Sequence, residues 1–233
     1  MKKDRIPELD LLRGICILGM ILVHFLYDLR YFRNISIELP FWLQFAADYG
    51  HVLFILISGI CAVLGSHSVK RGTLLFACGL AVSYVTLFMD LILGYENIRI
   101  WFGILHFLGT AMIVYPVFKN ISASWMILWA LFFLITGAFF WGLTVKTPWL
   151  FPLGLCSEEV FTGSDYFPVF PNLGWFLLGA AMGKTLYQER KTLFPFLPTK
   201  TAVFRFLSFL GRNSLAVYLL HQPLLYMILT VTK

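Results

Sequence analysis

Leu9-Asp10-Leu11-Leu12-Arg13-Gly14-Ile15-Cys16-Ile17-Leu18-Gly19-Met20-Ile21-Leu22-Val23-His24-Phe25-Leu26-Tyr27 is apolar except for Asp10, Arg13 and His24. A helix needs about 20 such residues to cross the hydrocarbon core of a bilayer, and this run supplies them. Six further runs of the same kind lie at about 41–66, 72–93, 100–118, 124–145, 172–187 and 206–231. The sixth of the seven is short and glycine-rich, so six spans plus a re-entrant segment is the alternative count. The pattern predicts an all-α integral membrane protein, a bundle of about seven transmembrane helices forming one domain over residues 1–233.

Composition excludes the soluble classes. Apolar residues make up 59% of the chain, charged residues 13%, and the mean hydropathy is +0.80, whereas a soluble domain carries roughly 25% charged residues. Nothing remains for a separate soluble catalytic domain, so any chemistry belongs between helices or in short loops. The net charge of +6 does not indicate nucleic acid, because no solvated run of Lys and Arg is present to meet phosphates. Cys16, Cys61, Cys78 and Cys156 show neither metal-ligand spacing nor a CxxC pair, and three of them fall inside apolar runs as small hydrophobes. The start Met1-Lys-Lys-Asp-Arg5 resembles a signal peptide's charged region, but no small-residue cleavage site follows, which favours a retained first span.

Charge placement orients the chain. With the N-terminus in the cytoplasm, the inner side holds thirteen basic and four acidic side chains (+9), the outer side five and eight (−3). That is the positive-inside arrangement. The connection at about 146–171 then lies outside; it carries Pro148, Pro152, Pro168 and Pro171 with Glu158, Glu159 and Asp165. Loops of that length in compact chains usually carry function.

Ionisable groups at membrane depth are costly and mark candidate sites. In the first run the eleven-residue step from Arg13 to His24 returns to nearly the same helical face. At 1.5 Å per residue the two Cα atoms stand about 16 Å apart along the axis. Asp10 and Asp28 share that stripe. One face therefore carries a cation near the cytoplasm and an imidazole with a carboxylate in the outer half. Read blandly, Arg13 is a snorkelling anchor and His24 a packed bundle histidine; chance rarely aligns all four groups. In the last run Ser214, Tyr218 and His221 stand at i, i+4 and i+7, again one stripe, with Pro223 removing a backbone donor.

Several stretches resemble known families. Glu8-Leu-Asp10-Leu-Leu-Arg13-Gly14, followed after ten residues by His24, resembles the arginine–histidine signature of membrane-bound acyltransferase-3 proteins. Gly50-His-Val-Leu-Phe54-Ile-Leu-Ile-Ser58-Gly59 is similar to the aromatic–Ser-Gly stretch of their next span. Three more point to a closer relative: Phe102-Gly-Ile-Leu-His106, Asp165-Tyr-Phe-Pro168-Val-Phe-Pro171 and Gly211-Arg-Asn213-Ser214-Leu-Ala-Val-Tyr218-Leu-Leu-His221-Gln-Pro223. They are similar to the heparan-α-glucosaminide N-acetyltransferase catalytic-domain family, in its small bacterial members. The resemblance spans nearly the whole chain, and the last motif is the most specific.

It implies a membrane acyltransferase that takes acetyl-CoA from the cytoplasm and passes the acetyl group to an acceptor across the bilayer. The basic inner face suits the CoA phosphates through charge-assisted contacts. Histidine suits the acceptor's general base because its unperturbed pKa is about 6.5. His24 is the expected base, with Asp28 accepting a ring N–H to fix the tautomer, and a covalent acetyl-histidine is the alternative chemistry; His106 and Asp165 are further catalytic candidates. Arg13, Arg212, Asn213, Ser214, Tyr218 and His221 form the expected acetyl-CoA-binding set, and no metal is called for. Expected partners are acetyl-CoA, a saccharide or envelope glycoconjugate acceptor bearing a hydroxyl or amine, and the lipid bilayer; a homodimer is allowed. The expected location is the bacterial cytoplasmic membrane. Rival classes are a permease with a His/Asp proton relay, against which the absence of an internal repeat counts, and a non-catalytic sensor.

Overall fold

The structure, a computed structural model, describes residues 5–33, 38–93, 98–157 and 165–231. Glu158 and Glu159 of the expected outer loop, and Lys2, Lys3, Asp4, Glu96 and Lys233 of the charge balance, lie outside those residues. The described chain forms helices α1 (Pro7–Arg33), α2 (Phe41–Leu64), α3 (Ser68–Leu93), α4 (Ile104–Phe118), α5 (Ala123–Phe140), α6 (Val169–Leu186), α7 (Ala202–Arg212) and α8 (Ser214–Val231). A 3₁₀ turn covers Pro148–Leu153, and the only strand-like feature among the described residues is a single bridge between Thr144 and Cys156.

All seven apolar runs are thus helical, and the chain is an all-helical integral membrane protein. By length and apolarity, four helices among the described residues (α1, α2, α3 and α5) can each cross a membrane, and five spans result if α7 and α8 count as one. The difference from about seven has physical causes. Helix α4 has 15 residues, about 22 Å at 1.5 Å each, short of a core about 30 Å thick. Helix α6 contains Phe170 at φ −96°, ψ 126°, outside helical backbone. The seventh run bends by 90° between Arg212 and Ser214. Asn213 makes that bend: its N–H reaches back to the carbonyls of Phe209 and Leu210, and its Nδ2 donates to Phe209 O at 2.8 Å. Its own carbonyl accepts from Val217 N–H in the next helix at 3.0 Å. One residue closes α7 and opens α8.

The chain divides into two compact units, Met1–Ile57 with Tyr187–Lys233, and Ser58–Leu186. In the first, α1 packs on α7 and α8. Gly14 and Gly211 allow the α1–α7 approach: a Cβ on Gly14 would overlap the carbonyl oxygen of Leu207, and one on Gly211 that of Asp10. The crossing is backbone against backbone, the geometry that small residues permit. Helix α7 has three faces. Phe204, Ser208 and Gly211 are buried, Val203, Phe206 and Phe209 are exposed and apolar, and Arg205 and Arg212 are exposed and charged. Buried Glu8 clasps the turn before α7, accepting from Thr192 Oγ1 at 2.7 Å and from Leu193 N–H at 2.8 Å.

In the second unit α3 packs on α4, α4 on α6 and α6 on α5. Helix α4 is buried along most of its length and α6 along half of it. On α5 the buried residues are Met126, Ala130 and Gly137, a narrow stripe at helical spacing, while Trp125, Leu128, Ile135 and Phe139 are exposed. Large apolar side chains facing outward are what a lipid environment accommodates. The inner helices can instead hold small and polar residues, which is why they read less clearly as spans.

Candidate active site

In the first unit, α1 and α8 bring four polar side chains together inside apolar helices. His24 Nδ1 lies 3.2 Å from Gln222 Oε1 and 3.3 Å from His221 Nε2. The two rings meet edge to face, centroids 4.9 Å apart at 71°. Gln222 Nε2 donates to both oxygens of Asp28 at 3.1 Å. Asp28 is 4% exposed and His221 7%, so the carboxylate depends on the amide for its partners. His221 Nδ1 lies 2.5 Å from the Tyr218 carbonyl, and the Tyr218 ring rests on it with centroids 5.5 Å apart.

Asp28, expected to take a ring N–H of His24, does not do so directly; instead Gln222 stands between the carboxylate and the imidazole. His221, expected among the donor-binding residues, touches His24. Gln222 escaped the sequence reading although it occurs in the quoted motif. The signal was available: counting from Ser214, Gln222 sits at i+8 and shares the stripe with Tyr218 and His221.

At the N-terminal end of α1 the same unit holds a cleft of about 730 Å³ lined by Arg5, Asp10, Arg205, Ser208 and Arg212, with Phe209 among its apolar walls. Arg5 pairs with Asp10 at 3.9 Å, and Arg13 and Arg212 also act on that carboxylate. Three arginines of the lining against one carboxylate leave it positive. Ser208 is 5% exposed and its Oγ has no hydrogen-bond partner among the described residues. A hydroxyl so placed costs free energy unless something accepts from it. Arg13 lies beside this cleft rather than on its wall, with its Nε buried and unpartnered among the described residues. Arg212 is on its wall, while Asn213 spends its amide on the bend. Ser214 begins α8.

His106 and Asp165 sit in the second unit, at the start of α4, and each serves a different backbone group. Gly103 N–H donates to His106 Nδ1 at 3.2 Å, and Ile104 N–H to Asp165 Oδ1 at 3.4 Å. His106 Nε2 lies 3.3 Å from Ser83 Oγ, which donates to the Ile100 carbonyl at 2.5 Å. The ring stacks on Phe102 at 5.5 Å and 27°. Nearby, Tyr166 donates to the Phe151 carbonyl at 2.5 Å; burial, aided by Cys156, pushes its phenol above the ordinary range and keeps it a donor. Phe167 N–H bonds Phe102 O at 3.0 Å. The described part of the 146–171 connection is therefore tied to the start of α4. Asp90, near the end of α3, pairs with Arg99.

Among known protein families, the model described as heparan-alpha-glucosaminide N-acetyltransferase, catalytic, matches residues 5–223. No curated protein and no solved structure matches the chain.

Proposed function

The chain belongs to the heparan-alpha-glucosaminide N-acetyltransferase catalytic family, and on that premise we propose that it transfers an acetyl group from acetyl-CoA to a hydroxyl or amine of a saccharide or envelope glycoconjugate. The donor enters from the cytoplasm and the acceptor lies on the outer side of a bacterial cytoplasmic membrane. The observation that carries this reading is the cluster of His24, His221, Gln222 and Asp28, an imidazole held by a polar chain within apolar helices. His24 takes the acceptor's proton as its oxygen or nitrogen attacks the acetyl carbonyl; the new bond forms, the C–S bond breaks, and the imidazolium returns the proton to the CoA thiolate.

The positive cleft of Arg5, Arg205 and Arg212 suits the CoA phosphates, which guanidinium groups bind bidentately. Helix α1 carries both ends of this arrangement. Asp10 lines the cleft, and His24 follows fourteen residues later, about 21 Å along the axis. The pantetheine arm bridges such a gap, so phosphates and thioester can be served at once.

Acetyl-labelled acetyl-CoA, offered with amino-sugar and saccharide acceptors to the full chain in nanodiscs, tests the reading. Saturable donor binding and label on the acceptor are expected; absence of both binding and transfer overturns it. Labelling of Cys156 from outside intact cells tests the orientation, and labelling only from the cytoplasmic side would reverse it.

A further inference from the structure

The bonds around His24 determine which ring nitrogen carries hydrogen. An ionised carboxylate can only accept, so the Gln222 amide must turn its NH₂ toward Asp28, as it does with both oxygens at 3.1 Å. That leaves Gln222 Oε1 facing His24 Nδ1 at 3.2 Å, and a carbonyl oxygen also only accepts. The second line of reasoning comes from His221. Its Nδ1 faces the Tyr218 carbonyl, so Nδ1 holds the hydrogen and, in the neutral ring, Nε2 is an acceptor. This Nε2 lies 3.3 Å from the same His24 Nδ1. Two acceptors, fixed by unrelated partners, converge on one nitrogen. Among the described residues nothing bonds His24 Nε2.

We propose that His221 and Gln222 are positioning residues that together hold His24 as the Nδ1–H tautomer, so that Nε2 is the atom receiving the acceptor's proton. The first half of this statement stands on the hydrogen bonds alone; the second rests on the acetyltransferase reading. Asp28 acts through Gln222, and its task is to set the orientation of the amide. An amide has no proton to pass along such a chain under ordinary conditions, so the carboxylate orients the ring without competing for its hydrogen.

The test is a ¹⁵N spectrum of the imidazoles in the full chain in nanodiscs, with His24 assigned by its loss in His24→Gln; five histidines keep it tractable. In the wild type, His24 Nδ1 should give the protonated signal and Nε2 the lone-pair signal. Removing both acceptors, His221→Phe with Gln222→Leu, should shift the ring toward the Nε2–H form. It should also lower kcat by about 10²–10⁴, the range for a misplaced general base, with donor binding within a few-fold. An isosteric exchange guards against simple misfolding. Asp28→Asn with Gln222→Glu puts the carboxylate against the ring and the amide behind it, so an acceptor still faces Nδ1. That pair should keep the Nδ1–H signal and recover at least ten-fold in kcat over Gln222→Glu alone, which sets two carboxylates against each other. A wild-type His24 protonated at Nε2 overturns the proposal. So does a doubly depleted variant that keeps its tautomer or its turnover, or an exchange pair no better than the single. The spectrum needs neither donor nor acceptor, so a wild type without transfer would overturn the acetyltransferase reading and leave the tautomer to be judged separately.

Discussion

His24 and His106 each sit on an apolar helix, one in each unit, and each is bonded to another segment of the chain. Their nitrogens are used differently. His106 accepts from Gly103 N–H at Nδ1, and because Ser83 gives its only hydrogen to the Ile100 carbonyl, His106 must donate to Ser83 from Nε2. Both nitrogens are committed: Nδ1 takes the Gly103 N–H that the start of α4 would leave open, and Nε2 holds the Ser83 hydroxyl. His24 has both of its acceptors crowded on Nδ1, and no described residue bonds Nε2. The comparison separates a histidine that finishes a helix end from one that keeps a lone pair in reserve. Burial alone would not separate them in the right order: His106 is the more buried of the two.

The largest expected effects test that contrast directly. His24→Ala should cut turnover by about 10³-fold or more, within the range for a general base, while the unfolding midpoint and donor binding stay near wild type. His106→Ala should do the reverse, losing about 1–3 kcal/mol of stability for the buried groups left unpaired and keeping most turnover per folded molecule. Thermal unfolding in detergent together with initial rates distinguishes the two signatures. Loss of turnover without loss of stability in His106→Ala would return it to the catalytic set, and Asp165 with it.

Most of the helices could be read from sequence because apolar runs of about 20 residues have no other stable home. The bend at Asn213 could not, since Gly211-Arg212-Asn213-Ser214 reads as a polar interruption and nothing local fixes an angle of 90°. In the site, helical periodicity placed His24 and Asp28 on one stripe and Ser214, Tyr218 and His221 on another. Periodicity describes one helix at a time. That α8 would insert Gln222 between His24 and Asp28 depends on how two stripes mesh, and this is set by packing. The same limit hid the true surroundings of His106 and Asp165: a motif supplied the residues, but only the fold shows each bonding a separate backbone N–H of α4.

Next in size is the crossing that holds α1 against α7. Gly14→Val puts side-chain atoms into the Leu207 carbonyl, and backbone cannot yield as a flexible side-chain end does. Overpacking of this kind costs about 1–3 kcal/mol, and displacing α7 carries Arg205 and Arg212 with it. Stability and donor binding should therefore fall together. Arg205→Ala and Arg212→Ala are milder. Each is exposed, so losing one phosphate contact should raise the donor KM about ten-fold, worth about 1.4 kcal/mol, with kcat unchanged. Added salt should shrink the difference, because exposed charges are screened. An unchanged KM in both variants would move the anion site elsewhere on the unit.

The smallest effect expected is at Asp165, and it sharpens what a helix end needs. Asp165 Oδ1 accepts from Ile104 N–H at 3.4 Å, and the helix begins beside Gly103, where a Cβ would strike the other carboxylate oxygen. Replacing a capping oxygen by a methyl group costs about 0.5–2 kcal/mol, so Asp165→Ala should destabilise by about 1 kcal/mol. Asp165→Asn keeps an acceptor of the same shape and removes only the charge at the positive end of the helix, a term of about 0.3–1 kcal/mol. The order wild type, Asn, Ala is therefore expected in unfolding midpoint, with turnover per folded molecule the same in all three. Were Asp165 instead the partner of a catalytic His106, the asparagine variant would lose activity well beyond its loss of stability, since a neutral amide cannot stabilise an imidazolium as a carboxylate does. Rates normalised to folded protein decide between the two, and equal rates across the series would leave Asp165 a structural role at the start of α4.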